Sequence, residues 1–80
     1  MPIMSEFIVL ERSMLVGKSL EEIVNRYNVK ILHYHSPKID SQTRHPFNPK
    51  IIIEPYFYLK VTGSDKNVGR LCLDSVKYNN

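Results

Sequence analysis

The run from Ser13 to Ile23 constrains the fold of this 80-residue chain more than any other segment. It contains Gly-Lys-Ser, which also occurs in phosphate-binding loops, but such a loop needs another glycine five residues before the first of the three. Arg12 stands at that position, and bulky Leu15 and Val16 lie where the backbone would have to approach a phosphate. The run therefore does not predict a nucleotide phosphate loop.

The same run predicts the start of a helix. Ser19 can cap the helix N-terminus while Glu22 reaches back to the Ser19 N–H, which is the capping-box arrangement. The apolar residues that follow recur at the spacing of one helical face, and they are Leu20, Ile23, Val24 and Tyr27. We expect a helix over residues 19–28, ended by Asn28.

The rest of the chain predicts strands and a second helix. Runs rich in β-branched and aromatic residues predict four strands, over residues 7–10, 29–35, 50–54 and 56–62. Ser64 or Asp65 can cap a closing helix, whose apolar face consists of Val68, Leu71, Cys72 and Val76. The order β-α-β-β-β-α predicts a small α+β domain, with two helices against a sheet of about four strands. We expect a single domain over residues 1–80, with its core between about residues 6 and 76.

Two features predict a homodimer. A chain this short buries too little surface to be very stable alone, and its single cysteine, Cys72, excludes an internal disulfide. Strict alternation along the second predicted strand puts Val29 and Ile31 on one face and Leu32 and Tyr34 on the other. A strand that is apolar on both faces is covered on both, and a second copy of the chain can supply the second cover.

Charge and hydropathy bear on location and partners. Residues 1–6 carry no basic stretch followed by an apolar core, and no apolar run approaches the roughly 18 residues of a membrane span. We therefore expect a cytoplasmic protein without membrane insertion. The net charge of +3 fits either a solvated surface of mixed charge or attraction to an anionic ligand.

Neither metal binding nor catalysis is predicted. His33 and His35 share one side of a strand and could be joined by His45 or Cys72, but a structural zinc site needs four ligands with paired short spacings. Cys72 lies on the apolar face of the closing helix, where a free cysteine behaves as a small hydrophobic residue. The chain is therefore expected to be neither a metal-binding protein nor an enzyme.

Basic and aromatic side chains are grouped between the first helix and the long polar loop of residues 38–49. Arg26 and Lys30 bracket the corner between helix and strand, and Arg44 lies in the loop with Phe47. Guanidinium and imidazole groups suit phosphate, and flat or apolar side chains suit a base, so the group fits an anionic, planar ligand. The alternative is a solvated loop beside an ordinary strand.

The order of these motifs resembles a known family. A strand, the run Ser13–Ile23 and a short apolar strand resemble the C-terminal regulatory domain of proteins that gate potassium channels and transporters, the RCK_C or TrkA-C domain. The segment Ile52–Ser64 resembles the last strand of that family, which ends in a glycine before a closing helix. The family usually has Pro-Gly-Asp where this chain has Pro55-Tyr56-Phe57. The resemblance covers roughly residues 6 to 73.

The resemblance implies a ligand and a site. Domains of the family pair as twofold dimers and bind small ligands or ions in the cleft between them, and some bind cyclic di-adenosine monophosphate (c-di-AMP). Their pocket uses the end of the first helix, the following strand and the loop after it. Carried onto this chain, the ligand-binding residues are Arg26, Lys30, Ile31, His33, His35, Arg44, His45 and Pro46. Those proteins usually have an asparagine before an apolar residue early in the strand, where this chain has Lys30 before Ile31.

The resemblance also implies a role without a cofactor of its own. The nucleotide-binding domain that normally precedes this module does not precede it here, which predicts either a free-standing version or an excised piece. A free-standing sensor has to pass its signal to a transporter or to a regulatory partner. The expected function is thus a dimeric ligand-binding regulatory domain linked to potassium or cation transport.

Two other functions stay open. Alternation along residues 56–62 predicts Phe57, Leu59 and Val61 on the buried face, and the residues of the open face are Tyr56, Tyr58, Lys60 and Thr62. Tyrosines on a strand face can stack bases, so these residues with Arg44 and Lys50 could bind nucleic acid. The charge of only +3 disfavours this partner. The third possibility is a dimerisation module without a ligand.

Overall fold

The structure, a computed structural model, describes residues 1–38 and 47–78. These residues form the small α+β domain with two helices that the sequence predicts, but with three strands rather than four. In chain order the elements are β1 (Pro2–Ile8), α1 (Leu20–Tyr27), β2 (Lys30–His35), β3 (Tyr58–Ser64) and α2 (Asp65–Ser75).

The sheet is antiparallel and has β3 at its centre, in the order β1-β3-β2. Leu59 and Val61 on β3 are fully buried beneath the helices, while Tyr58 and Lys60, which alternate with them, are only partly buried. The predicted alternation of this strand is thus confirmed from Tyr58 onwards. The helices lie on one face of the sheet, and the described residues leave the other face open to solvent.

Helix α1 begins and ends where the sequence predicts. Ser19 Oγ accepts from the Glu22 N–H at 3.1 Å, and Glu22 Oε1 accepts from the Ser19 N–H at 3.1 Å, so the capping box is complete. Asn28 adopts the left-handed conformation that ends a helix, with φ of 52°. Leu20, Ile23 and Tyr27 are buried in the core, as the apolar spacing predicts.

The predicted third strand, residues 50–54, is wrong. The segment makes a single isolated bridge, between Ile52 and Ser19. The Ile53 N–H donates to the Lys18 carbonyl at 2.8 Å, and the Leu20 N–H donates to the Ile51 carbonyl at 2.9 Å. Because its partner turns into α1 at Leu20, no further ladder can form, although Ile53 is fully buried like a strand residue.

The prediction that the second strand is apolar on both faces is also wrong. The register shifts between Ile31 and His33, where a β-bulge adds one residue to β2. The shift brings Tyr34 to the same buried face as Ile31, where its ring stacks on Phe57 with centroids 6.1 Å apart. Leu32 is the one apolar side chain of β2 outside that face, at 42% exposure. Two-sided burial of this strand therefore no longer argues for a dimer.

Tyr56 lies in a turn and not on the face of a strand. The Phe57 N–H donates to the Glu54 carbonyl at 3.2 Å, and Tyr56 has a φ of 69°. Proline at the second position and positive φ at the third are the features of a type II turn, which favours glycine where Tyr56 stands. The Tyr56 N–H donates to the Val9 carbonyl at 2.6 Å and so ties this turn to the end of β1.

Candidate functional site

The Gly-Lys-Ser segment has no backbone donors left for a phosphate. Gly17 has a φ of 92°, a conformation in which other residues are strained, so its glycine has a structural reason. Each N–H from Gly17 to Glu22 donates to an acceptor within the chain; in order, these are the oxygens of Ile53, Leu15, Glu22, Ile51, Pro49 and Ser19. A helix N-terminus binds anions through free N–H groups, and here they are satisfied by the protein.

The open face of the sheet is the strongest candidate site. We use this name for the exposed bulge residue Leu32 together with the side chains that the register places opposite the helix layer: Met4, Glu6, Ile8, Lys30, His33, His35, Tyr58, Lys60 and Thr62. In the central row, Glu6 on β1 and His33 on β2 both lie opposite Lys60 on β3. Two lysines and two histidines thus share this surface with one carboxylate.

Tyr58, the first residue of β3, lies at one end of the open face and contacts both neighbouring strands. Its hydroxyl donates to Glu6 Oε2 at 2.5 Å, and the His33 ring packs edge-on against it with centroids 5.8 Å apart. The hydrogen bond to Glu6 raises the pKa of Tyr58 above its usual value, so the phenol stays protonated. This bond occupies one oxygen of the Glu6 carboxylate, and Lys60 lies directly opposite Glu6 on the neighbouring strand.

A hollow opens on the same face between β1 and β3. It has a volume of about 250 Å³ and is lined by Met4, Ser5, Glu6 and Lys60. Pockets that hold small molecules usually measure roughly 300–1,000 Å³. One copy of the hollow is therefore too small to enclose a dinucleotide without a second surface.

The structure brings together only part of the predicted site. Lys30, His33 and His35 share the open face, whereas Ile31 lies on the helix side and packs against the core. Arg26 lies in the helix layer, with its guanidinium carbon 5.9 Å from the centroid of the Tyr27 ring. The three predicted loop residues, Arg44, His45 and Pro46, lie outside the described residues.

The alternative nucleic-acid surface is reduced as well. Tyr58 and Lys60 share the open face as predicted, but Tyr56 lies in its turn, where its hydroxyl donates to Glu11 Oε2 at 3.4 Å. Lys50 lies in the segment that packs beside α1 and is not part of the sheet. Sequence reasoning missed Glu6, because its position opposite Lys60 depends on a strand register that no local pattern reveals.

A second polar cluster joins the two helices. The Tyr27 hydroxyl donates to Asp74 Oδ2 at 2.6 Å, and Lys77 lies 3.2 Å from the other oxygen of that carboxylate. Burial, then the hydrogen bond to Asp74, raises the pKa of Tyr27 to about 12, and the hydrogen bond from Tyr27 lowers the pKa of Asp74. Arg70 on α2 also approaches the Tyr27 ring, at 6.0 Å from its centroid. This cluster links α1 to α2 on the side of the sheet away from the open face.

Three further findings concern metal binding, membrane insertion and similarity to known proteins. Within residues 1–38 and 47–78, no three His, Cys, Asp or Glu side chains are grouped so that they could hold a metal ion. Neither helix in this described part of the chain is long and apolar enough to cross a membrane. In comparisons with known proteins, the chain matches no family model and no curated protein.

Proposed function

We propose that this protein is a small regulatory domain that acts as a homodimer and binds an anionic, planar ligand on its open face. The observation that carries the proposal is that Lys30, His33, His35 and Lys60 share one uncovered sheet face with Tyr58, against whose ring His33 packs. The ligand class that fits is a cyclic dinucleotide such as c-di-AMP, with phosphates on the cations and bases against the flat and apolar side chains.

The chemistry of these groups supports such a ligand. Lys30 and Lys60 can each donate a charge-assisted hydrogen bond to phosphate, and such a bond contributes about 1.5–3 kcal/mol. His33 and His35 offer ring N–H donors to phosphate oxygens. Met4 and Ile8 are 63% and 49% exposed and offer apolar contact to a base.

The size of the hollow supports a homodimer if the ligand is a cyclic dinucleotide. One copy offers a volume of about 250 Å³, below the usual range of ligand pockets, and a second copy would enlarge the site. Pairing two copies also doubles the number of cations without adding a new type of residue. The expected weak stability of so short a chain adds a further reason for pairing.

Two local features support the resemblance to the RCK_C domain. The family has glycine where Tyr56 stands, and Tyr56 has the positive φ, 69°, that a glycine adopts without strain. The glycine before the closing helix, Gly63, is packed closely: a Cβ there would stand 3.2 Å from Val29 Cγ1. From the resemblance we further propose a cytoplasmic protein that regulates potassium or cation transport through a partner protein, without catalysis and without a cofactor.

Isothermal titration with c-di-AMP tests the ligand. AMP and inorganic phosphate are titrated for comparison, because the first has one base and one phosphate and the second has no base. We expect Lys60→Ala to weaken binding about tenfold or more, because it removes a charge-assisted contact. Lys66→Ala is the matched control, since Lys66 is an exposed lysine on α2, in the helix layer. His33→Ala should also weaken binding, because it removes a ring N–H donor that lies beside Tyr58. No binding at millimolar concentration would defeat the ligand proposal.

Nucleic acid is the second candidate, favoured by one observation: Tyr58 and Lys60 share a face with Lys30 and His33. A short single-stranded oligonucleotide in the same titration separates the two. Oligonucleotide binding that weakens steeply with added salt, without any response to c-di-AMP, would favour this candidate. If neither ligand binds and a dimer is present, the domain is a dimerisation module.

A further inference from the structure

We propose that two copies of the chain associate side by side, with the outer edge of β1 paired antiparallel to β1 of the second copy and α2 packed against its counterpart. This inference rests on the homodimer of the proposed function and identifies the surface that forms it. The twofold axis passes beside Ser5, the middle residue of the seven in β1. The result is a six-stranded sheet with all four helices on one side.

Of the two edge strands of the sheet, β1 is the better suited to pair with a strand of a second copy. In the part of the chain that the structure describes, β1 is bonded only to β3, and its register runs without interruption from Pro2 to Ile8. It contains no lysine or arginine, and its only proline is its first residue. The opposite edge strand, β2, is interrupted by a bulge and begins with Lys30. A bulge and a lysine on an edge strand both hinder the addition of another strand.

The sequence of β1 is self-complementary in one register. Antiparallel pairing centred on Ser5 puts Ile3 opposite Phe7 of the second copy, so the helix side of the seam is apolar. On the open side, Met4 then lies opposite Glu6 of the second copy. Cross-strand apolar pairs stabilise a sheet, whereas like charges directly opposite each other destabilise it.

The neighbouring registers are worse. To keep both helix layers on the same side, the centre can move only by whole residues along the strand, because facing residues must point the same way. Centring on Glu6 sets two carboxylates directly opposite each other. Centring on Met4 leaves Phe7 and Ile8 without a partner strand.

Helix α2 presents a matching surface beside this edge. Cys72 Sγ lies 3.5 Å from Ser5 Oγ, so α2 passes next to the centre of β1. The side of α2 that carries Arg70 and Asp74 faces α1, which places Gly69, Leu73 and Val76 on the other side, towards the seam. Leu73 and Val76 are 65% and 60% exposed, so this stripe is apolar and uncovered in a single copy.

The stripe is self-complementary about the same axis. When two α2 helices run antiparallel and cross near Cys72, Val76 of one copy lies opposite Gly69 of the other. A Cβ placed on Gly69 meets nothing within 4 Å, so a side chain of the second copy can occupy this space. Strand and helix therefore indicate one and the same twofold arrangement.

This arrangement also completes the hollow of the open face. Three of its four lining residues, Met4, Ser5 and Glu6, belong to β1 and lie along the seam. Two hollows then meet across the axis, with Lys60 of each copy on either side. A ligand with two phosphates can contact both lysines at once.

Sedimentation equilibrium with two matched variants tests the surface. We expect the wild-type chain to form a dimer at micromolar concentration, and Leu73→Arg to raise its dissociation constant about tenfold or more. Leu32→Arg is the matched control, because it introduces the same charge at an exposed leucine of β2, away from the seam. It should leave the dimer intact. Circular dichroism verifies that both variants are folded, which is expected because both side chains are exposed.

Cysteine crosslinking provides a test that does not depend on destabilising anything. In a Cys72→Ser background, which removes the native thiol beside Ser5, Ser5→Cys should form a disulfide-linked dimer under mild oxidation, and Leu32→Cys should not. A wild-type monomer would overturn the homodimer itself, and the surface with it. A wild-type dimer that survives Leu73→Arg and resists crosslinking through Ser5→Cys would overturn this surface while leaving the homodimer standing.

Discussion

At the scale of single residues, Tyr27 shows how a buried aromatic side chain can join two helices. Its ring is 1% exposed, and its hydroxyl donates to the Asp74 carboxylate at 2.6 Å. A buried hydroxyl needs a partner, and a charged acceptor gives a stronger bond than a neutral one. Apolar spacing alone predicts that Tyr27 is buried, but the partner 47 positions further along the chain follows only from the packing of α1 against α2.

We expect Tyr27→Phe to lower the free energy of unfolding by about 1.5 kcal/mol at neutral pH, because a hydrogen bond to a charged group is lost. Denaturant unfolding measures this change. Tyr58→Phe is the control: its partner Glu6 is exposed, so its effect should be smaller. Equal losses in the two variants would contradict the assignment of Tyr27 as the link between the helices.

The same contact predicts how stability depends on pH. The pKa of Asp74 lies below its usual 3.8 in the folded protein. The contribution of its carboxylate to the free energy of unfolding is therefore present above pH 3.8 and is lost as the pH falls through the pKa of the folded state. The pKa of Tyr27 is raised from 10.0 to about 12, so its contribution is complete below pH 10 and is lost as the pH rises towards 12. The difference in free energy of unfolding between wild type and Tyr27→Phe should therefore become smaller at both low and high pH. Denaturant unfolding curves measured across this pH range test this.

Tyr56 carries backbone strain that a substitution can release. A left-handed conformation costs an L-residue about 1–2 kcal/mol, and glycine is free of this cost. We expect Tyr56→Gly to be more stable than Tyr56→Ala by about 1 kcal/mol, since both variants lose the same exposed ring and only one keeps the Cβ. Thermal unfolding of the two variants measures this difference. An alanine variant as stable as the glycine variant would contradict the claim that the backbone is strained at position 56.

At the scale of elements, the parts that local chemistry determines are the parts that sequence reasoning predicts. The capping box and the left-handed stop at Asn28 define α1, and both are contained within a ten-residue window. The errors occur where a distant partner decides. Residues 50–54 are rich in isoleucine, yet their partner is the entrance to α1 and not a strand. The bulge in β2 is invisible in the sequence, because it depends on how Ile31 and His33 align with β3.

The cap of α1 offers a test at this scale. We expect Ser19→Ala to lower the free energy of unfolding by about 1 kcal/mol, as the loss of an N-cap usually does. Ser64→Ala should cost a similar amount, because Ser64 Oγ caps α2 by accepting from the Asn67 N–H at 3.1 Å. Denaturant unfolding without any ligand makes the comparison. An unchanged stability in Ser19→Ala would show that the orphan N–H groups of α1 find their partners elsewhere.

At the scale of the whole molecule, the candidate site is set by which side chains the sheet brings to one face. The sequence places Lys30, His33 and His35 on one strand and Tyr58 and Lys60 on the open face of another, and the structure adds that these two strands are neighbours. The resemblance implies that Arg26, at the end of the first helix, belongs to the same site, but α1 packs on the opposite side of the sheet. Strand alternation therefore predicts part of the site, and only the layering of the domain separates Arg26 from it.

If the ligand lies across the seam between two copies, binding and dimer formation are linked. A ligand that contacts both copies must stabilise the dimer, and the dimer must raise the affinity for the ligand by the same factor. We expect saturating c-di-AMP to lower the dissociation constant of the dimer in sedimentation equilibrium, and Leu73→Arg to weaken c-di-AMP binding in titration. Lys60→Ala is the control, because it should still form the dimer but lose the response to the ligand. A dimer whose dissociation constant does not change while c-di-AMP is bound would place the ligand within one copy and away from the seam.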